Sequence, residues 1–410
     1  MKKILWLCAL ISLTSLLIAD QITIRRERTF MRTGAGSFYP VVSEIPVNSV
    51  VTSLGKENSW LKISFNSQTG YISESALQSS KAKNDVFAKL SAQAPSQTSV
   101  SKHSISAGVK GFGERFNASF NGDASFMDTV LNDKYNAWFF NDFKRNTYTQ
   151  TKAEDYRKAH KLPKASDSDF YSEAQEGFGL AVAAAIAKMG LYKNAEAREY
   201  ISHLGNLIVE ASDMPDLHFR FFILDIPQAN AYACPGGIVF ITRGMLKTVT
   251  NEAELAFVLA HEIAHVNRFH GIVELSKRKN QIAAEDLFAE LDFETPDSFS
   301  ESAKETEAEL ETEIYQMFES LIEGRLDIYE AEADAFALLY IARTGYDPQA
   351  ASDLLQRMAS RNAASNNQHY RPESTKDRAS RIQKESTKYH NRKLKYFRQQ
   401  ERFQRYIKYF

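Results

Sequence analysis

The chain has 410 residues, 43% of them apolar and 25% charged, a balance that supports ordinary globular cores and excludes a disordered or fibrous chain. Its 50 Lys and Arg against 51 Asp and Glu leave a net charge of −1, so the overall charge gives no argument for nucleic-acid binding, which draws on a basic excess. At about 150 residues per domain, the length allows two or three domains.

Residues 1–19 read as a cleaved signal peptide, with an uncut N-terminal anchor as the alternative. Lys2 and Lys3 open the segment, residues 4–18 are largely apolar, and Ala19 supplies a small residue before Asp20. The run falls short of the roughly 20 apolar residues that a membrane span needs. Cleavage would remove Cys8 and leave Cys234 as the single thiol. Stability in an exported chain must then come from packing or metal, not from an internal disulfide. The periplasm is the expected location, with an extracellular or N-terminally anchored form as the alternatives.

Residues 20–78 show short β-rich runs separated by turn residues. Ile22 and Ile24, Val41 and Val42, Val50 and Val51, Trp60 with Ile63, and Tyr71 with Ile72 alternate with Gly34, Gly36, Pro40, Pro46, Gly55, Asn58 and Gly70. This spacing predicts a small all-β barrel or sandwich. The pieces Arg32-Thr33-Gly34-Ala35-Gly36-Ser37-Phe38-Tyr39, Trp60-Leu61-Lys62-Ile63 and Gly70-Tyr71-Ile72 resemble the bacterial Src-homology-three-type barrel. Such modules bind cell-wall peptides or envelope proteins, or serve as spacers with no ligand of their own. Residues 79–107 shift to Ser, Lys, Ala, Gln and Thr and read as a flexible linker.

From residue 108 to 385 the pattern is mainly helical, with one β segment around residues 219–242. Its β-rich runs are separated by Pro235-Gly236-Gly237, a turn signal. The expectation is a mostly helical domain carrying a small antiparallel sheet. Within it, residues 282–325 form an acidic insert. Residues 285–313 hold twelve acids and one base, Lys304, and Leu310, Ile314, Met317 and Leu321 make an apolar stripe. A lid over the site and a solvated surface helix are both open readings. Residues 386–410 are expected to form a basic, aromatic helix. From Arg371 onward there are thirteen Lys or Arg against four acids. Membrane-surface contact, packing on the acidic insert and docking on its own domain all remain open.

The segment 251–271 predicts an amphipathic helix, capped by Asn251 with Glu254 as its partner and stopped by Gly271. Inside it runs His261-Glu262-Ile263-Ala264-His265. Histidines four apart share one helix face and can reach one metal. Glu262 is positioned to take a proton from a metal-bound water. Zinc suits two His and a carboxylate with one open position. A metzincin would need Gly at 268 and His at 271, where this chain has Arg268 and Gly271. A Glu on a later helix, with an Asp four residues on, is the other arrangement, and Glu330 and Asp334 fit it. Glu332 reads as a solvated charge pointing elsewhere. His103, His160, His203, His218, His270 and His390 read as structural or solvated, and Cys234 as a small buried hydrophobe.

The pieces Asn230-Ala231-Tyr232-Ala233-Cys234-Pro235-Gly236-Gly237, Thr242-Arg243-Gly244-Met245-Leu246, Glu252 to His265, Glu330 to Asp334 and Gly345-Tyr346-Asp347-Pro348 resemble the zinc metallopeptidase family that includes the CAAX prenyl protease, HtpX, the mitochondrial Oma protease and soluble periplasmic members such as BepA. The resemblance implies a zincin domain holding one Zn2+ per chain through His261, His265 and Glu330. It further implies Glu262 as catalytic base, and Asp334 as the partner that fixes a histidine tautomer. The family's His-Pro is replaced by Arg371-Pro372. His369, or else Arg371 or Arg378, would then supply the positive donor to the oxyanion. The substrate would add as a strand along Ile238, Val239, Phe240, Ile241 and Thr242.

The resulting expectation is an exported zinc endopeptidase acting on unfolded or misassembled envelope proteins. The alternatives are a non-proteolytic chaperone with structural zinc, or a hydrolase of cell-wall peptides. Polypeptide substrates, no nucleic acid, and a peripheral membrane contact through the C-terminal helix complete the expected partners.

Overall fold

The computed structural model of the chain describes residues 20–79, 123–133, 135–163, 170–279, 317, 327–365 and 375–407. The signal segment, nearly all of the linker, His369, Arg371 and the acidic insert apart from Met317 lie outside the described residues.

The first unit is a six-stranded antiparallel sheet of β1 (Gln21–Thr23), β2 (Thr29–Arg32), β3 (Val41–Ile45), β4 (Val50–Glu57), β5 (Trp60–Phe65) and β6 (Gln68–Ser73), in the order β1-β4-β5-β6-β2-β3. Alternation puts Ile24, Met31, Ile45, Val51, Ile63 and Ile72 into one core cluster. Register shifts between Met31 and Arg32 and between Ser53 and Gly55 bend the sheet over that cluster. Asn66 and Ser67 both take positive φ, 47° and 63°, which is the turn geometry a two-residue hairpin prefers. Strand β2 has no counterpart among the predicted runs.

This unit is docked on the rest of the chain. Arg26 pairs with Asp216, and Arg28 lies 3.1 Å from Glu176. Phe38 enters the main core, with its ring 4.7 Å from Tyr135 and 4.9 Å from Phe140. The loop carrying Phe38 and Tyr39 is thus engaged within the molecule.

The second unit contains helices α1 (Ala124–Leu131), α2 (Ala137–Thr147), α3 (Ala153–Ala159), α4 (Glu173–Ala187) and α5 (Ala195–Ala211), then β7 (Arg220–Leu224), β8 (Ala231–Cys234) and β9 (Ile238–Thr242). After these come α6 (Arg243–Thr248), α7 (Glu252–Asn267), α8 (His270–Lys279), α9 (Asp327–Thr344), α10 (Gln349–Ser365), α11 (Thr375–Ser386) and α12 (Gln400–Ile407). The small sheet is mixed, which corrects the antiparallel expectation. β9 is central, parallel to β7 and antiparallel to β8. The turn at Pro235-Gly236-Gly237 closes the β8–β9 hairpin, whereas the crossover from β7 brings the two longest β-rich runs side by side in one direction. A Cβ on Gly179 would lie 1.9 Å from the Pro235 carbonyl oxygen, so only glycine lets α4 approach that turn.

Helix α4 buries Phe178, Leu180, Val182 and Ile186 against one face of the sheet, with Phe222, Phe240 and Cys234 in the same cluster. Met317 joins that cluster at 6% exposure; it is the one residue of the acidic insert's apolar stripe among those described. No helix among the described residues is long and apolar enough to cross a membrane.

The C-terminal region is corrected in extent. Among the described residues 387–407 the α-helix is α12, and its apolar face is occupied, with Phe403 and Ile407 each 5% exposed in the main core. The docked reading holds, and the face that a membrane contact would use is internal.

His203, read only as structural or solvated, is buried on α5, with Nδ1 2.7 Å from the Tyr135 hydroxyl. Burial lowers its pKa to about 4, below the roughly 6.5 of an unfolded histidine. The fold therefore favours the neutral ring. That contribution is complete above pH 6.5 and is lost as pH falls toward 4, where the unfolded chain binds the extra proton. Urea unfolding from pH 4 to 7.5 should show a stability gap between wild type and His203→Gln that shrinks through this window and is flat above it. A pH-independent gap would refute the assignment.

Candidate metal centre

The site is built on α7, whose residues are all buried. Asn251 caps it by accepting from the Glu254 amide at 3.1 Å. The Glu254 carboxylate turns to the Thr250 amide at 2.8 Å and to Asn251 Nδ2 at 3.1 Å, so the reciprocal half of the expected capping box falls one residue earlier. The helix ends at Asn267, not at Gly271. Phe269 adopts φ +56°, which breaks the helical path, and Gly271 lies inside α8.

Helix α9 lies along α7 and brings Glu330 to the two histidines. His261 Nε2 is 3.3 Å from Glu330 Oε2, His265 Nε2 is 3.2 Å from Glu330 Oε1, and the two Nε2 atoms are 3.1 Å apart. One ligand atom from each of the three lies within 4.8 Å of the others. Tetrahedral zinc with ligands near 2.0–2.1 Å sets neighbouring donors about 3.4 Å apart. Two imidazole nitrogens and a carboxylate at these spacings fit that ion and leave one position open.

The electrostatics point the same way. Burial lowers the His261 pKa, but the Glu330 charge and the hydrogen bonds to Asp334 and Glu330 outweigh it and push His261 up to about 9. Burial would raise Glu330, yet the adjacent His261 and His265 hold it well below the usual carboxylate range. Asp334, 0% exposed, is likewise held low against its burial, chiefly by Arg378 with His261. Glu330 therefore stays ionised beside the two imidazoles, a charge that a cation held there would match.

Asp334 occupies the position expected of a tautomer-fixing partner, with Oδ1 3.0 Å from His261 Nδ1. Its remaining capacity is filled by Arg378 at 2.7 and 2.9 Å and by Arg381 at 2.9 Å. Arg378, one of the residues expected to face an oxyanion, also approaches Glu330 Oε2 at 3.3 Å. Its guanidinium therefore braces two carboxylates of α9, Glu330 and Asp334.

Glu262, next to His261 on α7, is 8% exposed. Burial raises the pKa of the Tyr232 phenol on β8, and the Glu262 charge adds to that shift. The expected substrate strand is corrected: Ile238 to Thr242 are all buried, and both edges of β9 are already paired. No added strand can bond there; the outer strand of the sheet beside α7 is β8.

Two residues read as bystanders belong to the site. His270 is 2% exposed, with Nδ1 2.9 Å from His265 Nδ1, and its Nε2 lies 3.3 Å from Glu332 Oε2. The Glu332 side chain is 46% exposed, but it points at His270. A five-residue offset matches neither the three nor the four of a helix face, so only the break at Phe269 explains how His270 comes under His265.

A mainly helical domain with a small sheet, a paired-histidine helix and a Glu from a later helix make up the arrangement that zinc metallopeptidases use. Residues 194–390 match the model of peptidase family M48, and residues 27–78 match that of the bacterial SH3 domain. Residues 194–390 thus belong to peptidase family M48, a family of zinc metalloendopeptidases, and residues 27–78 to the bacterial SH3 domain. It is 31% identical over 165 residues to the beta-barrel assembly-enhancing protease of Yersinia pestis, covering 39% of this chain and 32% of that protein. It is 30% identical over 159 residues to the mitochondrial metalloendopeptidase OMA1 of Schizosaccharomyces pombe, covering 39% and 43%. The human mitochondrial OMA1 matches at 28% over 166 residues, covering 39% and 30%. The matches thus span less than half the length of each relative.

Proposed function

We propose that this chain is an exported zinc-dependent endopeptidase that hydrolyses peptide bonds in unfolded or misassembled envelope proteins. The observation that carries this reading is the convergence of His261, His265 and Glu330 donor atoms beside a buried Glu262. A zinc ion held by those three side chains supplies Lewis-acid polarisation of the scissile carbonyl and acidifies water. Glu262 takes the proton of the attacking water and passes it to the leaving amine. Asp334, fixed by Arg378 and Arg381, holds the proton on His261 Nδ1 and leaves Nε2 free to bind. A purely structural site would need no base beside it, which argues against the chaperone reading. The Phe38 loop of the barrel packs on the main core, which argues against the cell-wall hydrolase reading only at that face. The envelope location rests on the signal-like residues 1–19 and on the relative named for β-barrel assembly.

The test is metal analysis of the purified full chain together with cleavage of an unfolded protein, a folded protein and a purified wall peptide. One zinc per chain and cleavage of the unfolded protein are expected, with activity lost to a chelator and restored by zinc. A chain that holds zinc and cuts none of the three, or only the wall peptide, would overturn the reading.

A further inference from the structure

We infer that His270 and Glu332 form a positioning relay for His265, and so set the metal affinity of the site. This rests on the proposed zinc ligation by His261, His265 and Glu330.

The chemistry admits one arrangement of protons. For His265 to offer the Nε2 lone pair to a cation, its proton must sit on Nδ1. That Nδ1–H then donates to His270 Nδ1 at 2.9 Å. His270, accepting at Nδ1, must carry its own proton on Nε2, where it donates to Glu332 Oε2 at 3.3 Å. Every atom in the chain has a compatible role, and the carboxylate at its end favours that order. The opposite order would protonate His265 Nε2 and block binding. A ligating histidine whose second nitrogen is held by a partner binds metal in a fixed tautomer and orientation.

The two histidines are therefore supported by different devices. His261 meets the fully buried Asp334 directly. His265 reaches its carboxylate through a second imidazole. The surroundings hold that imidazole still: it stacks on Tyr329 at 4.7 Å and 27°, and Phe269, whose left-handed backbone turns the chain, stacks on Tyr171 at 4.4 Å. Glu330, Glu332 and Asp334 all come from α9, so docking one helix delivers a ligand and both carboxylate supports.

The experiment measures zinc affinity by competition with a chromophoric chelator, and the absorption spectrum of the cobalt-substituted full chain, in four variants. His270→Leu should weaken zinc binding about 10- to 100-fold, the range typical of such outer partners, and shift the cobalt bands. His270→Asn, which keeps an acceptor near the Nδ1 position, should recover most of that loss. Glu332→Gln should weaken binding several-fold, and Glu330→Ala should abolish it. Thermal unfolding of the chelator-treated Glu332→Gln protein should match wild type, which separates positioning from folding. Wild-type affinity in both His270→Leu and Glu332→Gln would overturn the relay while leaving the zinc site intact. Should His270→Leu fail to fold, unchanged affinity in Glu332→Gln decides against it alone. A wild-type chain that binds no zinc would overturn the proposed function instead.

Discussion

Glu262→Gln is expected to bind zinc as wild type does, to unfold at the same temperature, and to cleave an unfolded protein at least about a hundredfold more slowly. The carboxamide has the shape of the carboxylate, and position 262 contributes none of the three converging donor atoms. Metal content should therefore not change. What is lost is the group that accepts a proton from water and returns it to the amine. No neighbouring residue on α7 can replace it, because His261 and His265 are turned to Glu330. Zinc stoichiometry and initial rates on the same preparation separate the two effects. Undiminished cleavage would sink the mechanism, whereas loss of zinc would move Glu262 into the ligand set. Glu330→Ala is the reciprocal case, in which metal and activity should disappear together.

The part of this site that could be read from the sequence was the part governed by helical period. His261 and His265 share a face because they are four apart, and Glu330 and Asp334 do so for the same reason. Those two pairs face each other in the fold. His270 and Glu332 were not legible, because their contact depends on a left-handed Phe269 that no composition signal announces. The mixed order of the sheet is hidden for a related reason. Two equally apolar runs at 220–224 and 238–242 do not reveal which lies in the centre, and the short strand Ala231–Cys234 hides in turn-rich sequence. The β unit was legible in most of its strands through turn spacing. Its docking through Arg26, Arg28 and Phe38 was not, since partners more than a hundred residues away leave no local pattern.

The largest expected effect on stability comes from Arg402, an interaction of the same long-range kind. Glu252, in the first turn of α7, is 0% exposed and receives the Tyr200 hydroxyl at 2.8 Å, the Tyr346 hydroxyl at 2.5 Å and Arg402 Nε at 2.7 Å. Burial, and then the charge of Glu252, hold both phenols far above their usual pKa, so they remain neutral donors. One residue-stretch away, the Arg398 carbonyl accepts the Glu252 amide at 3.0 Å and the Ala253 amide at 3.3 Å, satisfying N–H groups that a helix start leaves open. The C-terminal segment thus closes the head of the helix that carries His261 and His265. Arg402→Met would leave the Glu252 carboxylate buried with only phenol donors, and removing one partner of a buried pair costs about 3–5 kcal/mol. Arg402→Met/Glu252→Gln, which removes both charges, should recover much of that loss. Arg405→Ala, on the exposed side of α12, should stay within about 0.5 kcal/mol of wild type. Urea unfolding of the four proteins checks the pattern. Had the basic helix served a membrane surface, Arg402 and Arg405 would matter equally little to the fold in solution. A small and equal effect of the two substitutions would therefore refute the clasp.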